Sequence, residues 1–144
     1  MPITWDQSLA TGSATIDRQH RSLFAQVAAL ADAMKQGKGR HEIAAMLDFL
    51  GKYVVQHFAE EEKLMDEVAC PAAAANKQAH ARLLSKYGDL RKRFDSAGGG
   101  PSLVLEMHEV LSKWLVDHIR VVDVQLREHV GSSKHDLVGA AKRS

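Results

Sequence analysis

The sequence predicts an all-α protein, an up-down-up-down antiparallel four-helix bundle preceded by an extended N-terminal arm. Three observations predict it. Four segments of roughly 19 to 29 residues repeat apolar side chains at three-and-four spacing, the period of a helix facing a core. Short runs of turn-forming residues separate them, which leaves consecutive segments only an antiparallel arrangement. With 144 residues, 45% of them hydrophobic, the chain suits one domain with one sizeable core.

Residues 1–16 hold two apolar points, Ile3-Thr4-Trp5 and Ile16, around the turn-prone Thr11-Gly12-Ser13. This is the pattern of an arm lying over the domain, with Trp5 as its anchor. Asp17 is a candidate N-cap for a first helix reaching about Gln36, with Leu23, Phe24, Val27, Leu30, Ala31 and Met34 as its stripe. Gly37-Lys38-Gly39 ends it. A second helix is expected from about Arg40 to Val68, with Ile43, Met46, Leu47, Leu50, Val54, Leu64 and Met65 inward, and Cys70-Pro71 stops it. A third, from about Ala72 to Phe94, places Asn76, His80, Leu83, Leu84, Tyr87 and Leu90 on one face. After Ala97-Gly98-Gly99-Gly100-Pro101 a fourth runs from about Ser102 to His129, with Val104, Met107, Leu111, Trp114, Leu115, His118 and Val122 inward. Residues 131–144 are polar apart from Leu137-Val138 and read as a tail. The domain is therefore set at 1–130, the arm at 1–16 and the bundle at 17–129.

A formal net charge of +1, from 19 basic and 18 acidic residues, gives no reason to invoke nucleic acid or an anionic membrane. The start, Met1-Pro2-Ile3-Thr4-Trp5-Asp6, lacks the basic and apolar runs of a signal peptide, and no apolar stretch reaches spanning length. A cytoplasmic monomer is the expectation. Cys70 is the single cysteine, so a metal here would take nitrogen and oxygen ligands.

The chemistry centres on His57-Phe58-Ala59-Glu60-Glu61. A spacing of four puts His57 and Glu61 a turn apart on the apolar face of the second helix. An imidazole and a carboxylate inside a core cost on the order of several kcal/mol unless something satisfies them, and a cation satisfies both. His20, His57, His80 and His118 come one from each helix, all on the buried stripe, and Glu61 and Asp123 follow two of them closely. At roughly 1.5 Å of rise per residue, antiparallel packing brings these levels together near one end of the bundle. Imidazole and carboxylate donors suit iron, manganese or zinc, and two carboxylates able to bridge indicate two ions.

The pattern Trp5, Ile16-Asp17-Arg18-Gln19-His20, His57-x-x-x-Glu61, Pro71 ahead of a histidine-bearing helix, and Trp114-Leu115-Val116-Asp117-His118-x-x-x-x-Asp123 resembles the hemerythrin family. The resemblance extends to about residue 130. It implies a non-haem di-iron centre that binds dioxygen reversibly. It assigns His20 and His57 to the iron with the open position, His80 and His118 to the other, and Glu61 and Asp123 to the bridge. It also implies that Trp114, Leu115 and Ile119 line an apolar dioxygen pocket. Two positions depart from the pattern: Asn76 stands where the family carries a histidine, and Cys70 where an aromatic residue precedes Pro71. An amide oxygen is a weak ligand for iron, so Asn76 points to a labile or partly occupied second iron.

A further expectation is geometric: His118 and Asp123 are five apart, about 140° round a regular helix. A π-type widening near Arg120 to Val122, or an aspartate reaching round the flank, would reconcile them. His41 faces solvent by its phase, His129 lies out of reach, and Glu60, Glu62, Asp66 and Glu67 read as a solvated face. Tyr53, Phe58, Met65 and Tyr87 read as core, and Cys70 as a small residue filling a turn. The functional reading is dioxygen storage, delivery or sensing, without catalysis. Two rivals remain at this point: a di-iron or mononuclear oxidase, peroxidase or nitric oxide and iron handler, and a metal-free interaction module.

Overall fold

The computed structural model describes residues 4–97 and 101–130. Among them all regular structure is helical: α1 (Ala14–Lys35), α2 (Arg40–Glu67), α3 (Ala73–Ala97) and α4 (Pro101–Val121), with 3-10 segments at Gln7–Leu9 and Asp123–Glu128. α1 packs on α2 and α4, and α3 on the same two, so consecutive helices are neighbours round a four-helix bundle. The glycines between α3 and α4, and the expected tail with Leu137, Val138 and His135, lie outside the described residues.

Helix ends follow local chemistry. α1 stops where Gly37 takes a φ of 70°, and Lys38 N–H bonds back to the Ala33 carbonyl at 3.0 Å. α2 stops in the same way, with Ala69 in the left-handed region at φ 53° and Cys70 N–H bonded to the Met65 carbonyl at 2.9 Å. There a side chain occupies a conformation that glycine takes without penalty. Cys70 is buried beside Ile16, Leu64, Met65 and Ala72, as a filler of that turn.

α3 runs to Ala97, three residues past the expected Phe94, and two further boundaries differ from expectation. The cap of α1 is Ser13, whose hydroxyl accepts from Ile16 N–H, and the helix starts at Ala14. Asp17 lies in the first turn instead and accepts from both the amide and the hydroxyl of Thr11 at 2.8 Å, which ties the arm to the helix. α4 does not continue to His129. It ends at Val121, and the chain tightens into the 3-10 segment that begins at Asp123. No π-type widening is present: Val122 N–H still bonds the His118 carbonyl at 2.8 Å, four residues back. Ending the helix turns Asp123 inward, where it is 1% exposed, so a break in the helix takes the place of both expected routes, a bulge or an aspartate reaching round the flank.

The arm lies against the bundle. Arg21 holds its guanidinium 4.9 Å from the Trp5 ring centroid, and Trp5 packs on the central core. Arg127 donates to the Ala10 and Ser8 carbonyls at 2.8 and 2.9 Å, joining the arm to the end of the fourth segment. Gly12, at φ 89°, passes so close that an added Cβ would meet Val130 Cγ2 at 2.6 Å.

The interior is layered. One apolar layer joins Leu30, Leu47, Leu90, Phe94 and Met107, and a second joins Leu23, Phe24, Phe58, Leu83, Leu115 and Ile119. A third, at the opposite end from the first, joins Ile16, Leu64, Met65 and Leu126. His20, Glu61, Asn76, His80 and Asp123 fall between residues of the second and third layers, and His57 and His118 lie at the edge of the second, beside Phe58 and Ile119. Hydrophobic burial above and below therefore holds a polar layer in place.

Tyr87 pins α3 to α2 by donating its hydroxyl to the Leu47 carbonyl at 2.6 Å, and burial pushes its phenol up to about 12. An unfolded phenol ionises near pH 10. Because the folded value is the higher one, this contribution is complete below about pH 10 and is lost as pH rises toward 12. Tyr87→Phe is expected to lose about 1 kcal/mol at pH 8. Urea titrations of both proteins at pH 8 and pH 11 should show that gap narrowing in alkali.

Candidate metal centre

Each helix contributes to the polar layer. His20 comes from α1, His57 and Glu61 from α2, Asn76 and His80 from α3, His118 from α4, and Asp123 from the turn after it. None is more than 6% exposed. The structure brings all seven together. Glu61, His80, His118 and Asp123 form one group, and His20, His57 and Glu61 another, with the candidate ligand atoms of each within 4.8 Å of one another.

The two carboxylates divide their oxygens between the groups. Glu61 Oε2 lies 3.2 Å from His20 Nε2 and 3.7 Å from His57 Nε2, while its Oε1 lies 3.2 Å from His80 Nε2. Asp123 Oδ2 lies 3.2 Å from His20 Nε2, and its Oδ1 3.1 Å from His118 Nε2. Asn76 Oδ1 stands 2.8 Å from His118 Nε2, so the amide oxygen faces the second group.

Glu61 Oε1, His80 Nε2 and Asp123 Oδ1 are buried without a hydrogen-bond partner, although the nearest opposing atoms are in reach. Close but misaligned donor atoms are what ligands converging on a shared cation look like. The set fits two metal ions bound by nitrogen and oxygen.

The electrostatics agree. Burial opposes charge on His20, but the bonds and charges of Asp123 and Glu61 outweigh it and raise the imidazole to about 10. Burial lowers His57 to about 3, and the other imidazoles add to this against Glu61. Burial and the Asp123 charge push Glu61 upward, yet His20, His80 and His57 hold it below the usual carboxylate value. Burial would raise Asp123 too, but the His118 and His20 imidazoles beside it hold it far below. Two carboxylates thus stay ionised in a closed interior by drawing protons onto imidazoles, the place a metal ion would take.

The outward nitrogens are held from outside. His57 Nδ1 donates to Gln19 Oε1 at 2.7 Å, and Gln19 Nε2 in turn donates to Glu60. His80 Nδ1 donates to Glu62 Oε2 at 2.9 Å. These bonds fix the tautomers that leave Nε2 facing inward. They correct the expectation of a merely solvated face: Glu62 is 29% exposed and braces a candidate ligand, and Glu60 closes a chain that starts at His57. His41 is exposed, as its phase requires.

The rings are packed as tightly as the ligand atoms. Phe58 stacks on His80 with centroids 3.6 Å apart, and Trp114 on His118 at 4.3 Å. Leu115 and Ile119 belong to the apolar layer directly beside the centre. Phe58 and Met65 are core, as expected, while Tyr53 and Tyr87 are only partly buried against it.

Residues 11–128 match the model of the hemerythrin HHE cation binding domain. The chain belongs to the hemerythrin family. It is 33% identical over 136 residues to a bacteriohemerythrin of Pseudomonas paraeruginosa, covering 94% of this chain and 86% of that one. A bacteriohemerythrin of Methylococcus capsulatus is 34% identical over 122 residues, 84% of this chain and 91% of its own length. A myohemerythrin of Sipunculus nudus is 28% identical over 126 residues, 88% of this chain and 92% of its own. A wild-type hemerythrin crystal structure superposes with a TM-score of 0.78 at 32% identity, covering 92% of this chain and all of that one. Hemerythrins are oxygen-binding proteins built on non-haem iron rather than enzymes, and the clustered donors give this chain the means to be one.

A test of the bracing follows from the His80 bond. Glu62→Ala is expected to weaken iron binding at the His80 and His118 group by on the order of 10- to 100-fold. Competition with a chromogenic ferrous chelator measures it.

Proposed function

We propose that this hemerythrin stores or delivers dioxygen at two irons, one held by His20 and His57 and the other by His80, His118 and Asn76, with Glu61 and Asp123 shared. The observation that carries the ligand set is the division of each carboxylate between two imidazole groups, with 3.2 Å contacts from both Glu61 oxygens. When bound, the ferrous pair supplies the electrons that make reversible dioxygen binding possible. The remaining work falls to the chain. Gln19 and Glu62 hold His57 and His80 in register from outside. Leu115 and Ile119 keep water from the centre, and Trp114 covers His118, as the lining of a dioxygen pocket requires. Residues 1–130 make up the functional unit in this reading.

No described helix is long and apolar enough to cross a membrane. A cytoplasmic monomer is the setting we assign, and size-exclusion chromatography with light scattering checks the second half of that. The relatives add nothing to the oxidase or peroxidase alternative. Loading the metal-free protein anaerobically with two equivalents of ferrous iron and then admitting air tests the function. A visible absorption band that persists and is reversed by removing oxygen is expected. A transient band with product, or no band at all, would overturn the reading.

A further inference from the structure

We propose that the cleft between α3 and α4 binds a small apolar carboxylate, a molecule with a ring or short hydrocarbon body and one anionic head. The cleft has a volume of about 480 Å³, within the range of small-molecule sites. Leu83, Val110 and Trp114 give it an apolar lining, and His118 also borders it. Arg82, Lys86 and Lys113 complete the wall, with Asp117 as the one carboxylate, so the lining carries two more positive charges than negative.

Those three cations have no ion pair or hydrogen bond with any described residue. Their neighbours behave differently. On the same two helices Lys77 pairs with Asp66, Arg91 with Asp48 and Asp95, and Arg93 with Glu106. Lys92 and Arg120 on these helices also lack an ion pair with any described residue, but they lie apart from the cleft, whereas Arg82, Lys86 and Lys113 share its wall. Three unpaired cations round one concavity repel each other and favour an anion, and a guanidinium takes a carboxylate through two parallel bonds.

The lining decides the rest of the ligand. A small inorganic anion would leave Leu83, Val110 and Trp114 wet, whereas a hydrocarbon body covers them. Trp114 makes such a ligand visible, because its half-buried indole both lines the cleft and stacks on His118. This inference stands apart from the metal reading, since it uses no metal ligand as a contact for the anion.

Calorimetric titration of the full chain with phenylacetate tests it, once metal-free and once iron-loaded. Saturable binding in both forms is expected. The Trp114 emission of a metal-free Trp5→Phe variant should change with the same midpoint. Phenylacetamide, with the same ring and no charge, and inorganic phosphate, with charge and no ring, should each bind at least about tenfold more weakly. The double variant Lys86→Gln/Lys113→Gln, both positions exposed, should lose about tenfold or more while its circular dichroism is unchanged. Absence of saturation, equal binding of either control, or a double variant that binds like the wild type would overturn the proposal.

Discussion

Glu61→Gln is expected to abolish iron binding while leaving the metal-free fold intact. The substitution keeps the shape of a side chain with no exposed surface, but replaces one of two shared oxygens by an amide nitrogen that repels a cation. Both groups are weakened at once, because Glu61 faces His20 and His57 with one oxygen and His80 with the other, so one group loses its oxygen and the other keeps only a neutral amide oxygen. Iron per chain should fall from about two to near zero, a loss of more than about 100-fold in affinity for each ion. The stability result is the more diagnostic. Glu61 and Asp123 are like charges in one closed interior, and each pushes against ionisation of the other. Removing one charge relieves that repulsion but also takes away the anion that His20, His80 and His57 hold ionised. That net balance keeps Glu61 below the usual carboxylate value, so the metal-free variant should still fold but melt somewhat lower than the metal-free wild type. Ferrous iron at a hundredfold excess over its dissociation constant stabilises a binding protein by about 2.7 kcal/mol. Anaerobic thermal melts should therefore rise with iron for the wild type and stay flat for the variant. A variant that still gains stability from iron would remove Glu61 from the ligand set.

The bundle was legible because burial writes a period into each helix. Leu23, Val27 and Leu30, or Leu47, Leu50 and Val54, announce a buried face, and each lies in the apolar layers. The centre was legible for a related reason: His20, His57, His80 and His118 share that period, and a polar side chain on an apolar stripe needs a partner. What escaped was anything decided between helices. Glu62 sits one position from Glu61 and reads as surface, until α3 places His80 Nδ1 beside it at 2.9 Å. Gln19 is one residue from His20, yet it serves His57 on the next helix. No spacing within one segment carries either pairing. The end of α4 escaped because Val121 and Val122 carry no stop signal of the glycine or proline kind. What ends the helix there is the inward pull of Asp123, a tertiary demand that overrides propensity.

Asn76→His should tighten the more labile ion and merge two steps of iron uptake into one. Asn76 is fully buried, its Oδ1 2.8 Å from His118 Nε2 and its Nδ2 without a partner. In the wild type the second group therefore offers an amide oxygen, a poorer donor to iron than an imidazole nitrogen. Glu62 partly offsets this, since a carboxylate behind His80 makes that ring a stronger base than the neutral amide of Gln19 makes His57. An imidazole in place of the Asn76 amide adds a good donor and removes the orphaned nitrogen, for an expected gain on the order of 10- to 100-fold in affinity for that ion. Asn76→Ala supplies the opposite arm by removing the amide altogether, and there the weaker step should weaken further. Anaerobic ferrous titration of the three proteins, followed by the lifetime of the oxygenated band in air, reads both effects. The lifetime should be longest for Asn76→His, intermediate for the wild type and shortest for Asn76→Ala, because a more firmly held pair loses iron and oxidises more slowly. Three superimposable titrations would mean that the Asn76 side chain does not touch the metal. The shared carboxylates and four imidazoles would then constitute the whole of the centre.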